Sequence, residues 1–148
     1  MARVRKFLEL SPADRRLFIR AWLWLGFIRL WFWLLPFGSH RRLLARLSQA
    51  PPGGGRNDAS FPERVVKAVS MASGYVPQAT CLVQALAAQG LLRGRGWAAE
   101  VRLGVGRDVQ GQFLAHAWLE KGGRVIIGDS KLERYLPLPA KPQRSCAP

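Results

Sequence analysis

The sequence contains few of the side chains that bind metals or form disulfide networks. Two cysteines, Cys81 and Cys146, and two histidines, His40 and His116, occur among 148 residues. The cysteines form no CxxC pair and Cys146 lies in a proline-rich tail, so neither a disulfide framework nor a zinc site is indicated. We therefore expect no metal and no cofactor, and a reducing cytoplasm as the compartment. Cys146 is interpreted as incidental, and His40 as a solvated residue at a helix end and not as a ligand.

Acidic side chains are also scarce. The sequence has nine Asp and Glu and 23 Lys and Arg, which gives a formal net charge of +14. Residues 1–56 hold eleven of the basic and two of the acidic side chains, net +9, so an anionic partner would meet this part first. The hydrophobic share of 49% excludes a disordered basic tail.

Several motifs of other enzyme classes are missing. The chain has no GxSxG and no GxxxxGK[ST], which argues against a serine-hydrolase elbow and a P-loop. The Gly-Val-Gly at 104–106 ends a predicted strand with no helix after it, so it is not a dinucleotide loop.

A long apolar stretch over 17–37 carries four of the six tryptophans. Ser11 and Pro12 form a helix start just before it. A membrane span is marginal because Arg29 offsets most of the gain from the apolar residues, and a signal peptide is disfavoured because no cleavage site follows. We favour a helix that packs on the domain or on a partner, and leave open a peripheral membrane contact through 17–37.

Composition divides the chain into three parts. A short basic helix is predicted over 40–47, and the Pro-Pro-Gly-Gly-Gly at 51–55 is the clearest linker. The expected parts are a helical, basic, Trp-rich segment over 1–56, a core domain over 57–138 and a flexible tail over 139–148.

The core domain is predicted to contain two helices followed by strands. A capping box at Ser60 begins a helix that runs through Ser73. Strands are expected where the hydrophobic period changes from 3.6 to 2. The further predicted elements are a helix from about Thr80–Cys81 to Arg93 and strands over 97–105, 113–120 and 125–129.

The last two strands are joined by Gly-Gly at 122–123, a two-residue hairpin signal. With these two glycines as the loop, Trp118 lies opposite Ile127 and His116 lies opposite Asp129. Opposed residues of an antiparallel pair point to the same side with Cβ atoms about 4.5–5.5 Å apart. The turn arithmetic thus predicts that Asp129 orients the imidazole of His116.

A nucleophile completes this arrangement. Cys81 lies at a predicted helix N-terminus, where the helix dipole favours a thiolate, and a nearby His116 could take its proton. Gln78 is a candidate amide donor to an oxyanion beside the Cys81 backbone N–H. Taken singly, a helical cysteine, a strand histidine and a Gly-Asp at 128–129 are ordinary structural features; together they favour a Cys-His-Asp triad.

These residues carry a family likeness. The segment CLVQALAAQ at 81–89, the strand over 96–106, the segment HAWLE at 116–120 and the Gly-Asp at 128–129 resemble the lasso peptide biosynthesis B proteins. Those proteins are leader peptidases with a transglutaminase-like core. The likeness covers roughly 60–138, and the helical segment before it is also similar.

The resemblance implies an α+β fold, with a papain/transglutaminase-like core in which the Cys helix packs on a small antiparallel sheet, preceded by N-terminal helices. It implies a cysteine peptidase with Cys81 as nucleophile, His116 as base and acid, and Asp129 as orienting carboxylate. The substrate would be the leader of a ribosomal peptide precursor. With 148 residues there is no room for a winged-helix leader-recognition domain, so we expect the split form, acting with a separate leader-binding protein and a cyclase.

Two other classes remain open. A transglutaminase-like acyl transferase or deamidase would use the same triad. A non-catalytic basic adaptor would bind membrane or nucleic acid through 1–56, although no helix-turn-helix, RRM or zinc pattern is present and we expect no nucleic acid partner.

Overall fold

The structure is a computed structural model that describes residues 9–36, 39, 42–43, 45–46, 49, 58–107, 109–128 and 135–138. Its helices are α1 (Pro12–Leu34), α2 (Phe61–Ser73) and α3 (Cys81–Arg93). Its strands are β1 (Glu100–Arg107), β2 (Phe113–Lys121), β3 (Arg124–Ile127) and β4 (Tyr135–Pro137). The strands form an antiparallel sheet in the order β3-β2-β1-β4. The expected α+β class, with helices packed on a small antiparallel sheet, is confirmed.

Helix α1 begins as its sequence predicts. The Ser11 hydroxyl accepts a hydrogen bond from the Asp14 backbone N–H at 3.2 Å, and Pro12 is the first helical residue. The helix ends at Leu34, shortly before Pro36, whose ring cannot continue it.

Helix α2 begins differently from the prediction. Ser60 has helical backbone angles and makes no side-chain cap hydrogen bond, so the predicted capping box is wrong. Both the N–H and the hydroxyl of Ser60 instead donate to the Asp58 carboxylate, at 3.2 and 2.5 Å. The Ser60 oxygen is therefore turned away from the N–H groups of the first turn of α2, and its hydrogen bond lowers the pKa of Asp58.

One hydrophobic core joins all three helices to the sheet. Helix α1 packs against both α2 and α3. It contributes Leu17, Ala21, Leu25 and Ile28 to the same cluster that contains Leu119 of β2. The predicted helix over 40–47 is helical at its described residues, 42–43 and 45–46. The predicted linker at 51–55 and the tail over 139–148 lie outside the described residues.

A polar contact also ties α1 to α2. Arg64 Nε lies 2.8 Å from the Asp14 carboxylate, and the Ser11 hydroxyl donates to the same carboxylate at 2.7 Å. The Ser11 hydroxyl, followed by Arg64, holds the pKa of Asp14 below its ordinary value. The first turn of α1 is therefore fixed to the first turn of α2.

The opposite side of α1 is apolar and exposed. Its large apolar residues recur at helical spacing and leave from 46% to 74% of their surface accessible: Ile19, Trp22, Leu23, Phe27, Leu30, Trp33 and Leu34. By length and hydropathy α1 could cross a membrane, and the core helix of a soluble protein or a signal sequence meets the same criterion. The buried side of α1 shows that this helix is also part of the hydrophobic core.

Strand β2 is a central strand, as its apolar sequence predicts, and pairs with β1 and β3. The bounds of its neighbours differ from the prediction: β1 begins at Glu100 and continues to Arg107, and β3 covers 124–127. Strand β4 has three residues and was not predicted, because its sequence is too short to show alternation.

The hairpin register is only partly as predicted. Lys121 pairs with Arg124 and Glu120 with Val125, as the Gly-Gly turn requires. A bulge then shifts the pairing, so Leu119 rather than Trp118 lies opposite Ile127. A bulge places one extra residue on one strand. The register predicted from the Gly-Gly turn therefore ends at the bulge and does not extend to the predicted pair of His116 and Asp129. Asp129 lies outside the described residues.

The packing of α1 generates a stability prediction. Leu25→Ala should lower the free energy of unfolding by about 2–5 kcal/mol, because Leu25 is 0% exposed in the shared core. Leu23→Ala, two residues away at 56% exposure, should change it by less than about 1 kcal/mol. Urea denaturation of the two variants measures the difference. Equal values would show that α1 does not stabilise the core.

Candidate active site

Cys81 is the first residue of α3. Its N-cap, Thr80, makes no side-chain cap hydrogen bond, and the first turn contains no acidic residue. The first N–H groups of a helix have no helical acceptor, and they carry the positive end of the dipole. The first turn of α3 therefore offers unpaired N–H donors to an oxyanion formed beside Cys81.

Helix α3 is held rigidly. Nine of its thirteen residues are buried, most of them small or aliphatic. A Cβ at Gly90 would lie 3.2 Å from three atoms of the Trp24 ring, so α1 and α3 approach closely there. The buried Gln89 donates to the Ala99 carbonyl at 2.9 Å, which ties α3 to the segment that enters β1. Cys81 thus sits at the end of a fixed element.

Cys81 and His116 line one cavity of about 370 Å³. Cys81 is a free, partly exposed thiol, and His116 is a half-buried residue of β2. Gln84, one turn after Cys81 on α3, lines the same cavity, and its amide donates to the Ala79 carbonyl at 2.9 Å. The structure therefore brings together the predicted nucleophile and the predicted base, and adds Gln84, which its three-residue spacing from Cys81 places on the same helix face.

The imidazole of His116 is supported from its own strand. It stacks on the Trp118 ring, with centroids 6.4 Å apart and planes 21° from parallel. The Trp118 indole N–H donates to the Glu120 carboxylate at 2.7 Å, and Glu120 pairs with Arg102 at 3.4 Å. Alternate residues of a strand share a face, so the spacing of His116, Trp118 and Glu120 in the sequence indicates that they lie together on β2. Trp118 and Glu120 were nevertheless not among the predicted site residues.

Gly128 closes the cavity beside β2. Its φ of +148° is rarely adopted by other residues, and an added Cβ would lie 2.6 Å from the Cβ of Trp118. The chain after β3 can approach Trp118 this closely because residue 128 has no side chain. Asp129 is the next residue in the sequence.

Gln78 is placed by helix α1. Its side-chain oxygen accepts a hydrogen bond from the guanidinium of Arg29, and its backbone is left-handed with φ 57°. The residues that line the cavity at Cys81 do not include Gln78 among those described. Its expected role as an amide donor stays a prediction. The observed contact instead links α1 to the loop that precedes Cys81.

Other predicted positions lie outside the described part of the chain. These are Asp129, Cys146 and His40. Among the residues that are described, no group of three His, Cys, Asp or Glu side chains is arranged to hold a metal ion.

Comparison with known proteins gives one match. A family model described as the transglutaminase-like superfamily matches residues 22–140, a range that begins within α1 and contains Cys81, His116 and Asp129. No curated protein and no solved structure matches the chain significantly.

The shared cavity predicts coupled reactivity. With Cys146→Ser as background, Cys81 should react with iodoacetamide at neutral pH, and His116→Gln should slow the reaction by roughly tenfold because the imidazole no longer takes the thiol proton. His40→Gln is the matched control, since it removes the other histidine. Equal rates in the two histidine variants would show that His116 does not act on Cys81.

The close approach of Gly128 to Trp118 predicts that any side chain at position 128 destabilises the protein. Gly128→Ala should lower the free energy of unfolding by about 1–3 kcal/mol more than Gly122→Ala, as measured by chemical denaturation. Both glycines have positive φ, but the Cβ added at Gly122 would meet open space. Equal losses would mean that the contact with Trp118 is not a constraint.

Proposed function

The chain belongs to the transglutaminase-like superfamily, and on this premise we propose that it is a cysteine peptidase that removes the leader from a lasso-type ribosomal peptide precursor. The superfamily includes cysteine peptidases and acyltransferases, so membership supports chemistry through an acyl group on a thiol. The observation that carries the proposal is that Cys81, at the N-terminus of α3, and His116, on β2, line one cavity.

Acylation starts with the transfer of the Cys81 proton to the imidazole of His116. The thiolate attacks the carbonyl carbon at the junction of leader and core, and the carbonyl oxygen becomes an oxyanion near the free N–H groups of the first turn of α3. When the C–N bond breaks, His116 returns its proton to the departing amine. The leader is then held as a thioester on Cys81, and the core peptide leaves with a free N-terminal amine.

Deacylation uses water. His116 takes a proton from a water molecule that attacks the thioester carbonyl, the C–S bond breaks, and the proton restores the Cys81 thiol. The products are the leader carboxylate and the free enzyme. The core amine is then available to a separate cyclase.

We assign Asp129 the role of orienting the His116 imidazole and stabilising its protonated form. The support is its place directly after Gly128, which lines the cavity, and within the range matched by the family model. Gln78 remains a proposed amide donor to the oxyanion, because Arg29 engages its side-chain oxygen and leaves the amide N–H groups as donors.

The proposed partners follow from the resemblance at 81–89, 116–120 and 128–129. They are the leader of the precursor, a discrete winged-helix leader-binding protein and a lasso cyclase. The reaction is placed in the cytoplasm. The exposed apolar side of α1 is the surface through which a peripheral membrane contact would form.

Acyl transfer to an amine, or deamidation, is the second candidate function, because membership of the transglutaminase-like superfamily supports it equally. Acyl transfer passes the acyl group from the thioester to an amine instead of to water, whereas deamidation hydrolyses a thioester that forms from a side-chain amide with release of ammonia. Mass spectrometry of the products separates a hydrolysed leader from a cross-linked or deamidated peptide.

The proposal predicts the loss of cleavage on removal of either catalytic side chain. Cys81→Ala and His116→Ala should each abolish leader cleavage in an assay reconstituted with precursor and leader-binding protein, followed by mass spectrometry. Circular dichroism should be unchanged, since neither side chain is in the hydrophobic core. Cleavage by Cys81→Ala would rule out the thiol mechanism.

The role of Asp129 has its own test. Asp129→Asn should reduce kcat by roughly 10²–10⁴-fold, because the amide no longer stabilises the imidazolium. Asp108→Asn removes the same charge from another sequence position and should leave kcat unchanged. Similar effects of the two substitutions would remove Asp129 from the site.

A further inference from the structure

A second cavity, of about 460 Å³, lies at the opposite end of α3 from Cys81. It is bounded by the N-terminal half of α1, the first turn of α2, the last turn of α3 and the two residues that follow α3. Four of its lining residues are arginines: Arg16, Arg20, Arg64 and Arg95. The proposed mechanism uses none of them.

The four arginines differ in whether carboxylates compensate their charge. Arg64 pairs with Asp14 at 2.8 Å and lies 3.7 Å from Asp58, so two carboxylates compensate its charge. Arg16 and Arg20 are exposed, lie one turn apart on α1 and form no ion pair with another described residue. No carboxylate side chain lines the cavity within the described ranges. The rim therefore carries uncompensated positive charge.

The floor of the cavity is apolar. It is formed by Leu17, Trp24, Phe61 and Leu91. The guanidinium carbon of Arg95 lies over the Phe61 ring, 5.1 Å from its centroid. A guanidinium held over a ring keeps its N–H donors directed outward in its own plane, available to a carboxylate.

An apolar floor beneath a cationic rim suits a ligand that has both apolar and anionic groups. A free inorganic anion would use the rim alone and leave the floor in contact with water. A peptide segment with Asp or Glu beside aliphatic or aromatic residues would use both. We propose that this cavity binds an acidic, partly apolar segment of the leader, which rests on the proposed function in that the substrate is a leader peptide.

Helix geometry sets the distance between this cavity and the nucleophile. Gly90, Leu91 and Gly94 line it, and they follow Cys81 by nine to thirteen positions. At about 1.5 Å per residue this corresponds to roughly 14–20 Å along α3. An extended peptide covers about 3.3 Å per residue, so the acidic segment would lie at least about five residues from the scissile bond.

Binding at this distance contributes to affinity and leaves the chemistry at Cys81 unchanged. Exposed charge pairs are weakened by salt. An interaction made equally in the ground state and the transition state alters KM and leaves kcat unchanged. The cavity therefore acts as a recognition site for the leader.

The test is a binding measurement that does not require cleavage. A fluorescein-labelled peptide of alternating Glu and Leu with one Phe is compared with the same peptide carrying Gln for Glu, by fluorescence anisotropy on the full chain at low salt. We expect the acidic peptide to bind about tenfold more tightly. Arg16→Gln with Arg20→Gln should remove that preference, as should the single charge reversal Arg20→Glu.

The matched control is Arg42→Gln with Arg46→Gln, which removes the same charge from exposed positions outside the cavity. This control should retain the preference, and so should Cys81→Ala, so a failure of the peptidase proposal is distinguishable from a failure of this one. Equal binding by wild type and both cavity variants would overturn the proposal. Binding of a short duplex DNA with the same dependence on Arg16 and Arg20, as tight as that of the peptide, would overturn it as well.

Discussion

Between Trp24 of α1 and Gly90 of α3 the two helices are so close that a single added carbon would lie 3.2 Å from the indole ring. This approach places α3 in the middle of the molecule, packed on α1, α2 and the sheet. A contact this close leaves little room for the two helices to move toward each other. The thiol at the first residue of α3 is fixed as a consequence, and the contact of Arg29 with Gln78 holds the preceding loop to the same helix. Helix α1 therefore helps to hold Cys81, the proposed nucleophile, in place.

The histidine side of the site depends on β2 and on the irregular end of β3. Trp118 is 4% exposed; it stacks on His116, donates to Glu120 and contacts Gly128. The bulge opposite Leu119 shifts the strand that carries Gly128 by one residue. A regular hairpin would direct a different residue toward this cavity, so the bulge is part of the site. Bulges commonly redirect side chains next to active sites.

Local signals in the sequence predicted much of this arrangement. The cap at Ser11 and Pro12, the span of α3 and the Gly-Gly turn depend on neighbouring residues alone, and each was predicted correctly. The hairpin register beyond Glu120 was predicted wrongly, because a bulge is decided by what the strand packs against and no turn rule contains that information. Ser60 was misassigned because its backbone is helical and its hydroxyl is turned to the Asp58 carboxylate, so its oxygen does not accept from the first turn of α2. The cationic cavity joins residues from three helices distant in sequence, and periodicity within one helix cannot reveal it.

The central claim is that Cys81 carries the leader as a thioester during the reaction. Acid-quenching the enzyme with precursor and leader-binding protein within the first turnovers, followed by intact-protein and peptide mass spectrometry, tests it directly. We expect an adduct with the mass of the leader acyl group, located on Cys81 and removed by hydroxylamine. Cleavage that proceeds with no adduct on Cys81, or with the adduct on another residue, would contradict it.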